Sequence, residues 1–187
     1  MNRLFCFITP LLLIFFYSCA GNSQDPTISA VPDSKTILYN KPTNKTVVTL
    51  NSSQPGNWTL QYGVQDKNAP QTPKELKKSK WKSIKATVPG NVELDLMAEG
   101  LIKDPLVGNN VNDLRKYETY QWWYHRSFKK PIVPEGSRIE LNFDGIDTFA
   151  DIWLNNQKIG HVENMLVEHR LDITDYLKDK NELYICI

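Results

Sequence analysis

The amino-acid sequence predicts an all-β sandwich with one or two short helices. Short apolar runs with the two-residue alternation of β-strands recur along most of the chain, and Gly, Pro and Asn separate them. Helical periodicity is confined to a few isolated turns. Many short strands with little helix are typical of a sandwich and not of a parallel α/β sheet.

The strongest strand pattern lies in residues 138–160. Apolar and polar residues alternate through residues 139–143, which places one face of a strand in a core. An Asp-Gly turn signal interrupts the pattern, and a second apolar run follows over residues 148–154. Asn155 and Asn156 predict a tight turn, because Asn tolerates left-handed backbone. These features predict an antiparallel meander of consecutive strands.

Two other segments carry clear local signals. Asn91 predicts the start of a short helix over residues 92–99, because its side chain can accept a backbone N–H bond there. Glu93 and Asp95 then fall in the first turn, where the helix dipole favours negative charge. Residues 119–128 are dense in aromatic side chains and predict a strand with both faces covered.

The start of the chain predicts a lipoprotein signal. Arg3 precedes an apolar run that is too short, and too broken by Pro10, to span a membrane. The run ends at Ser18-Cys19-Ala20-Gly21, which resembles the lipobox of bacterial lipoproteins; the alternative is an ordinary signal peptide that contains a cysteine. The expected division is a signal peptide over residues 1–18, a flexible lipid-anchored tether over 19–45 with Cys19 acylated, and a folded domain over 46–187. This predicts a location in the bacterial cell envelope.

Composition excludes several classes of partner. The chain has 22 basic and 21 acidic residues and no basic cluster, so nucleic acid is not an expected partner. The membrane is expected as a partner only through the lipid anchor. Cys6 leaves with the signal peptide, and the remaining cysteines form neither a disulfide framework nor a zinc spacing. No metal or cofactor is expected.

Residue patterns for catalysis are weak. The three histidines, at His125, His161 and His169, have no ligand spacing. Asp144, Asp147 and Asp151 suggest a calcium site, but turn chemistry explains an Asp-Gly hairpin equally well. No hydrolase nucleophile motif or phosphate loop is present, and no glutamate is singled out as half of an acid/base pair.

Sugar-binding candidates fall in two places. Asn109, Asn110 and Asp113 lie in a polar, Gly-containing segment within the irregular stretch 101–116, and such loops commonly carry function. Trp122 is a candidate for stacking on a sugar, although core packing explains a large ring in a strand equally well.

A family resemblance joins these segments. Its residues run in order through the second two-thirds of the chain: Val88-Pro89-Gly90-Asn91-Val92, Gly100-Leu101-Ile102-Lys103-Asp104-Pro105, Trp123-Tyr124, Phe143-Asp144-Gly145-Ile146-Asp147-Thr148, Trp153-Leu154-Asn155-Asn156, Asp172-Ile173-Thr174 and Asn181-Glu182-Leu183. They resemble the N-terminal domain of β-mannosidases of glycoside hydrolase family 2. β-Galactosidases and β-glucuronidases share the second half.

The resemblance implies a galactose-binding-like jelly roll from a large, exo-acting retaining enzyme that cleaves terminal β-linked sugars from oligosaccharides. It places the two catalytic glutamates in a later barrel domain, so no catalytic residue is expected in this chain. It also implies that an asparagine near Asn110 bonds sugar hydroxyls. The chain is then expected to be a fragment whose last strands are missing and whose Ile185 and Ile187 lie on an uncovered face.

Two other functions stay open. A stand-alone carbohydrate-binding surface lipoprotein would use the same sandwich to hold glycan without catalysis. A structural interaction domain would use it to hold another protein.

Overall fold

The computed structural model describes residues 14–20, 45–54 and 56–187, and these form two antiparallel sheets. The strands are β1 (Ile14–Ala20), β2 (Lys45–Thr49), β3 (Trp58–Val64), β4 (Lys82–Ala86), β5 (Tyr120–Lys129), β6 (Ser137–Phe143), β7 (Ala150–Leu154), β8 (Gln157–Val162), β9 (His169–Asp172) and β10 (Lys180–Cys186). The helices are α1 (Pro73–Leu76), α2 (Val92–Ala98) and two 3₁₀ helices, Asn110–Tyr117 and Thr174–Tyr176.

The sheets have four and six strands. The smaller has the order β2-β1-β6-β9, and the larger has the order β4-β3-β5-β10-β7-β8. Alternate residues of both sheets meet in one core, with Leu60, Leu141, Phe143, Leu183 and Ile185 all fully buried. The all-β prediction is confirmed.

The predicted meander is wrong in one respect. Strand β6 belongs to the four-stranded sheet, whereas β7 and β8 belong to the six-stranded sheet. Residues 144–149 therefore cross from one sheet to the other, and the side chain of Ile146 within this segment is buried in the core. Alternation identifies a strand but not its partner, which is why the sequence pattern suggested a hairpin here. The β7–β8 turn is confirmed, with Asn155 at φ 52° and Asn156 at φ 68°.

The end of the chain is better covered than expected. Strand β10 lies inside the six-stranded sheet, paired with β5 on one side and β7 on the other. Ile185 is fully buried, so the expectation of an uncovered face at this residue is wrong. The sequence showed where the run stops but not that other strands flank it.

Strand β5 is covered on both faces, as predicted. Trp122 and Tyr124 point into the sandwich core. Trp123 points to the opposite face and packs with Leu76 of α1 and Tyr184 of β10. The segment that carries α1 thus closes a small second core on the outside of the larger sheet.

A buried arginine fastens the segment after β2 to β5. Arg126 is 2% exposed, and its Nη1 donates to the carbonyl oxygens of Leu50 at 2.9 Å and Asn51 at 2.7 Å. The indole Nε1 of Trp58 donates to the same Leu50 oxygen at 2.6 Å. The Arg126 guanidinium also lies 5.8 Å from the centre of the Trp58 ring. These bonds satisfy carbonyls that the core would otherwise leave unpaired.

The predicted helix at residue 92 is present. The Oδ1 of Asn91 accepts a hydrogen bond from the backbone N–H of Leu94 at 2.8 Å, and Asn91 thereby caps the N-terminus of α2. Leu96 is buried and packs this helix onto the core.

The N-terminal predictions fall partly outside the described residues. Residues 14–20 form β1, and this strand includes Cys19. Lys45 begins β2, whereas most of the predicted tether, residues 21–44, lies outside the description. Among the described residues, no helix is long and apolar enough to cross a membrane. The signal peptide, tether and anchor stay predictions.

A glycine contact in β3 gives a test of the packing. The ring of Trp81 lies directly on Gly63, where an added Cβ would come within 2.5 Å of Trp81 Cε2. We expect Gly63→Ala to lower the free energy of unfolding by about 1–3 kcal/mol in urea denaturation, because neither a ring nor a paired strand can shift freely. In a Trp81→Ala background the same substitution should cost little, since Ala suits a strand better than Gly. An equal loss in both backgrounds would contradict the proposed contact.

Candidate functional site

Three loop segments meet at one end of the sandwich, which we call the loop end: residues 101–119, 144–149 and 163–168. Strand registers establish this, because Phe143 lies opposite His169 and Ala150 lies opposite Val162. Strand β5 begins at the same end, with Trp123 opposite Cys186 and Cys186 opposite Asp151.

The polar segment before β5 is held in shape by its own hydrogen bonds. Asn110 Nδ2 donates to the Asp104 carbonyl at 2.9 Å, and Asp104 Oδ1 accepts the Leu106 backbone N–H at 2.9 Å. Gly108 has φ +56°, a left-handed conformation that glycine adopts without a Cβ penalty. The segment is therefore preorganised before any ligand arrives.

Three of the four predicted contact residues lie together on this segment. Asn109 and Asp113 are exposed, and Asn110 is half-buried, at the start of the 3₁₀ helix Asn110–Tyr117. The expectation of an irregular segment through residue 116 is wrong here, because no single local signal distinguished a 3₁₀ helix from a loop. The contact of Asn109, Asn110 and Asp113 with a sugar stays a prediction.

The fourth predicted residue, Trp122, lies beneath the others. It is 8% exposed and packs with Tyr62 at 5.0 Å, Tyr117 at 5.9 Å and Tyr120 at 5.9 Å between ring centres. Tyr117 belongs to the 3₁₀ helix, so this aromatic cluster supports the segment that carries Asn110. The geometry gives Trp122 a packing role, with its ring away from solvent.

Each loop segment also exposes a large apolar side chain. Leu106 is 83% exposed, Phe149 is 62% exposed and Leu166 is 83% exposed. Each of the three segments therefore presents one large apolar side chain to solvent.

Carboxyl groups near the loop end are partly desolvated. Burial raises the pKa of Glu93, Asp144 and Asp147. The negative charge of Asp147 raises the pKa of Glu93 further, and that of Glu168 raises the pKa of Asp144 further. Asp144 accepts a bond from Asn142 Nδ2 at 3.2 Å, and Asp147 accepts one from the Thr148 hydroxyl.

The calcium alternative would need these carboxylates to converge. Among the described residues, no group of three or more His, Cys, Asp or Glu is arranged to hold a metal ion. Asp151 instead binds Lys158 at 2.7 Å and His161 at 2.6 Å. Burial alone would raise the pKa of Asp151, but these two partners lower it below its ordinary value. Turn and strand chemistry thus accounts for the positions of Asp144, Asp147 and Asp151.

The other histidines also have their own partners. His125 bonds Glu182 on the outer face of the larger sheet, and Ser127 Oγ donates to the same carboxylate at 2.8 Å. His169 Nε2 lies 3.1 Å from the Asn164 carbonyl oxygen.

Asp95 is a polar residue whose role the sequence analysis missed. It is 3% exposed, and its Oδ1 accepts the Thr87 backbone N–H at 2.9 Å. Its Oδ2, like the nearby hydroxyl of Tyr124, is buried without a hydrogen-bond partner among the described residues. Burial raises the pKa of Asp95 to about 6, with the Glu99 charge adding to it and the Thr87 bonds opposing it. The position in the first helical turn had suggested only a dipole role.

A sequence profile described as glycosyl hydrolase 2 galactose-binding domain-like matches residues 58–187. The chain belongs to this family. Its sandwich is therefore the galactose-binding-like domain of glycoside hydrolase family 2, and the fold and family predicted from the sequence are confirmed.

Relatives within the family include β-mannosidases. The chain is 45% identical over 98 residues to β-mannosidase B of Thermothelomyces thermophilus, which is 52% of this chain and 12% of that protein. The crystal structure of β-D-mannosidase from Dictyoglomus thermophilum matches with a TM-score of 0.53 and 35% identity, over 69% of this chain and 14% of that one. The exo-chitosanase of Amycolatopsis orientalis has the same TM-score of 0.53 at 24% identity, over 70% of this chain and 16% of that one, and shows the fold alone. The chain thus spans about an eighth of the β-mannosidases that it resembles.

The buried carboxyl of Asp95 predicts a specific pH dependence. Its pKa is raised from 3.8 to about 6 in the folded protein, so the folded state holds this proton more tightly than the unfolded state does. The stability that this provides is complete below pH 4 and is lost as the pH rises through 6. The loss is about 2–3 kcal/mol, at about 1.4 kcal/mol per pKa unit.

Asp95→Asn keeps an oxygen for the Thr87 N–H and carries no charge. We expect it to be more stable than the wild type at pH 8 and nearly equal to it at pH 4, in urea unfolding at both values. Asp66→Asn is the matched control, because exposed Asp66 makes a similar bond to the Asn68 backbone N–H at 2.7 Å. A parallel pH profile for the wild type and Asp95→Asn would contradict the assignment.

Proposed function

We propose that this domain is the N-terminal carbohydrate-binding part of a β-mannosidase-like exo-glycosidase. The observation that carries the proposal is the 35% identity to the Dictyoglomus β-D-mannosidase structure over 69% of the chain. The substrate class is an oligosaccharide with a terminal β-linked sugar. In this role Asn109, Asn110 and Asp113 form part of the wall of the sugar pocket.

The loop end supports this arrangement in two ways. Its polar segment is held rigid by Asp104 and by the packing of Tyr117, which suits recognition of fixed sugar hydroxyls. Its exposed apolar residues, Leu106, Phe149 and Leu166, give a surface on which a larger catalytic body can pack.

Catalysis is assigned to another domain of a longer polypeptide. Retaining hydrolysis needs a nucleophile and an acid/base carboxyl about 5 Å apart across the scissile bond. Here Asp144 is held by Asn142, Asp147 by Thr148, and Asp151 by Lys158 and His161. The family resemblance places the two catalytic glutamates in a barrel domain, which we expect elsewhere on that longer polypeptide.

A second candidate function is a stand-alone carbohydrate-binding surface lipoprotein. Support for it comes from the interior position of β10 in the six-stranded sheet, where pairing with β5 and β7 accompanies the burial of Ile185.

Sugar binding through the Asn110 segment is testable on the full chain. We expect titration calorimetry to detect binding of β-1,4-mannobiose and Asn110→Ala to weaken it about tenfold, the equivalent of one lost hydrogen bond of about 1.4 kcal/mol. Asn112→Ala is the matched control, since Asn112 is exposed on the same 3₁₀ helix. Equal affinity in the wild type and Asn110→Ala would show that Asn110 does not contact the sugar.

The same preparations separate the two functions. Under the enzyme-domain proposal the chain alone leaves aryl β-mannosides uncleaved, and its affinity rises when a family 2 barrel is joined to it. Under the binding-module alternative, joining the barrel leaves the affinity of the chain for the sugar unchanged. Hydrolysis that is lost on mutating a glutamate of this chain would overturn both.

We also propose that the chain is a lipoprotein of the bacterial cell envelope, anchored through Cys19. Support comes from the apolar run that ends at Ser18-Cys19-Ala20-Gly21. Labelled palmitate should enter the wild type and Cys186→Ala but not Cys19→Ala, when each is expressed in a bacterium. Equal labelling of Cys19→Ala and the wild type would refute the anchor.

A further inference from the structure

Positive charge is concentrated in residues 66–85, which we call the lysine segment. It contains seven lysines and two acidic residues, Asp66 and Glu75. Of the 22 basic and 21 acidic residues of the chain, 15 and 19 lie outside it, so the near-zero charge of the whole chain conceals a basic segment in an acidic remainder. The seven lysines are all exposed: Lys67, Lys74, Lys77, Lys78, Lys80, Lys82 and Lys85.

The fold itself accounts for only some of these lysines. Among the described residues, no carboxylate forms an ion pair with any of the seven. Lys77 lies 5.5 Å from the centre of the Tyr184 ring. Lys82 and Lys85 belong to β4, an edge strand on which lysine discourages pairing with another chain. Neither role applies to the other four: Lys67, Lys74, Lys78 and Lys80.

The lysine segment forms an open pocket of about 460 Å³ beside α1. Lys67 joins its lining from the turn after β3, and Lys78 joins it from the residues after α1. Neutral polar residues are also part of the lining, namely Asn68, Gln71 and Ser79. Two ammonium groups and several neutral hydrogen-bonding groups therefore border the same space.

Hydrogen bonds fix the walls of this pocket. The Asn68 backbone N–H donates to Asp66 Oδ1 at 2.7 Å, and Gln71 Nε2 donates to the Ala69 carbonyl at 3.0 Å. Glu75 is the acidic residue of the lining, and its Oε2 accepts the Gln71 backbone N–H at 2.8 Å. The pocket is thus formed before a ligand arrives, which lowers the entropic cost of binding.

An acidic sugar fits this surface better than a membrane or a nucleic acid does. Membrane surfaces are broad and favour proteins that expose apolar side chains, and single-stranded nucleic acids favour exposed aromatic rings. Within residues 65–85 no large apolar side chain is exposed, and the Trp81 ring lies half-buried on Gly63. Ammonium, amide and hydroxyl groups around one pocket suit a ring that carries an anionic group beside neutral hydroxyls.

We propose that the pocket of the lysine segment binds an acidic oligosaccharide, with the carboxylate or sulfate of one sugar ring held by Lys67 and Lys78. The other exposed lysines of the segment attract the anionic groups of adjoining rings. The pocket shares no residue with the Asn110 segment, so this inference does not depend on the function proposed above.

Titration calorimetry on the full chain tests the site with three probes. Trigalacturonic acid carries a carboxylate on every ring, its methyl ester has the same rings without charge, and a heparin-derived tetrasaccharide supplies sulfate. We expect a charged probe to bind, the ester to bind about tenfold more weakly, and the affinity of the charged probe to fall as salt is added. The charged probe that binds more tightly identifies the anionic group.

Paired substitutions separate the pocket from general positive charge. Lys67→Gln/Lys78→Gln should weaken binding of the charged probe about tenfold, because both ammonium groups border the pocket. Lys129→Gln/Lys130→Gln is the matched control, since it removes two exposed lysines at the end of β5 and should leave the affinity unchanged. Urea unfolding of both double variants confirms that they are folded.

Glu75→Gln gives a change of the opposite sign. Glutamine keeps an oxygen for the Gln71 backbone N–H but removes a negative charge from the lining. We expect it to bind the charged probe about threefold more tightly than the wild type, because the repulsion between like charges is gone.

Four results would overturn the proposal. Neither charged sugar binds; the ester binds as tightly as the acid; the two double variants lose the same affinity, so that net charge alone attracts the sugar; or phosphatidylglycerol vesicles bind through Lys67 and Lys78 while the sugars do not, which assigns the surface to a membrane. Each leaves the mannobiose titration of Asn110→Ala unaffected, so the two proposals fail separately.

Discussion

The larger sheet depends on one pairing, that of β10 with β5. Seven residue pairs join the two strands, and reciprocal backbone bonds between Trp122 and Ile187, at 3.0 and 2.9 Å, extend the ladder by one residue. On its other side β10 carries β7, and β7 carries β8. The β7–β8 hairpin is thus attached to β3, β4 and β5 through the last strand of the chain. Such long-range pairing favours slow folding, because the loop-closure entropy precedes any gain from contacts.

The packing of β5 also determines the position of the Asn110 segment at the loop end. Because β5 is buried on both faces, consecutive aromatic residues serve two different cores, Trp122 inside the sandwich and Trp123 beneath α1. Tyr117 rests on Trp122, so the position of the Asn110 segment follows from the packing of the inner core. Loops that carry binding groups are commonly placed in this way by a rigid scaffold beneath them.

Local signals in the sequence were sufficient wherever one residue decides the geometry. The cap at Asn91 and the left-handed turn at Asn155 and Asn156 are of this kind, and the density of aromatic residues in β5 was a similar local signal for burial on both faces. The crossing of residues 144–149 between sheets, the interior position of β10 and the bonds of Arg126 to Leu50 and Asn51 are not. They depend on residues far apart in the sequence, and alternation within a strand contains no information about its neighbours.

The candidate residues likewise fall into two groups, those in a local sequence pattern and those whose role depends on tertiary packing. Asn109, Asn110 and Asp113 follow from a local pattern, a polar and Gly-containing segment, together with the family resemblance; the structure places them at the 3₁₀ helix Asn110–Tyr117, and their contact with a sugar stays a prediction. Asp95 could not be identified in this way, because its burial depends on where α2 packs, and only there does a carboxyl of the first helical turn become one whose pKa is about 6. The core role of Trp122 likewise required the positions of Tyr62 and Tyr117.

Binding and hydrolysis make different demands on polar groups. Recognition of sugar hydroxyls needs donors and acceptors held at fixed positions, and the bond from Asn110 Nδ2 to the Asp104 carbonyl, at 2.9 Å, fixes the Asn110 side chain. Hydrolysis needs two carboxyl groups free to act on opposite sides of one bond. Asp144 and Asp147 each accept a hydrogen bond from a neighbouring side chain, and burial raises the pKa of both. Under the proposed function, a domain built in this way would position the sugar for carboxylates that another domain provides.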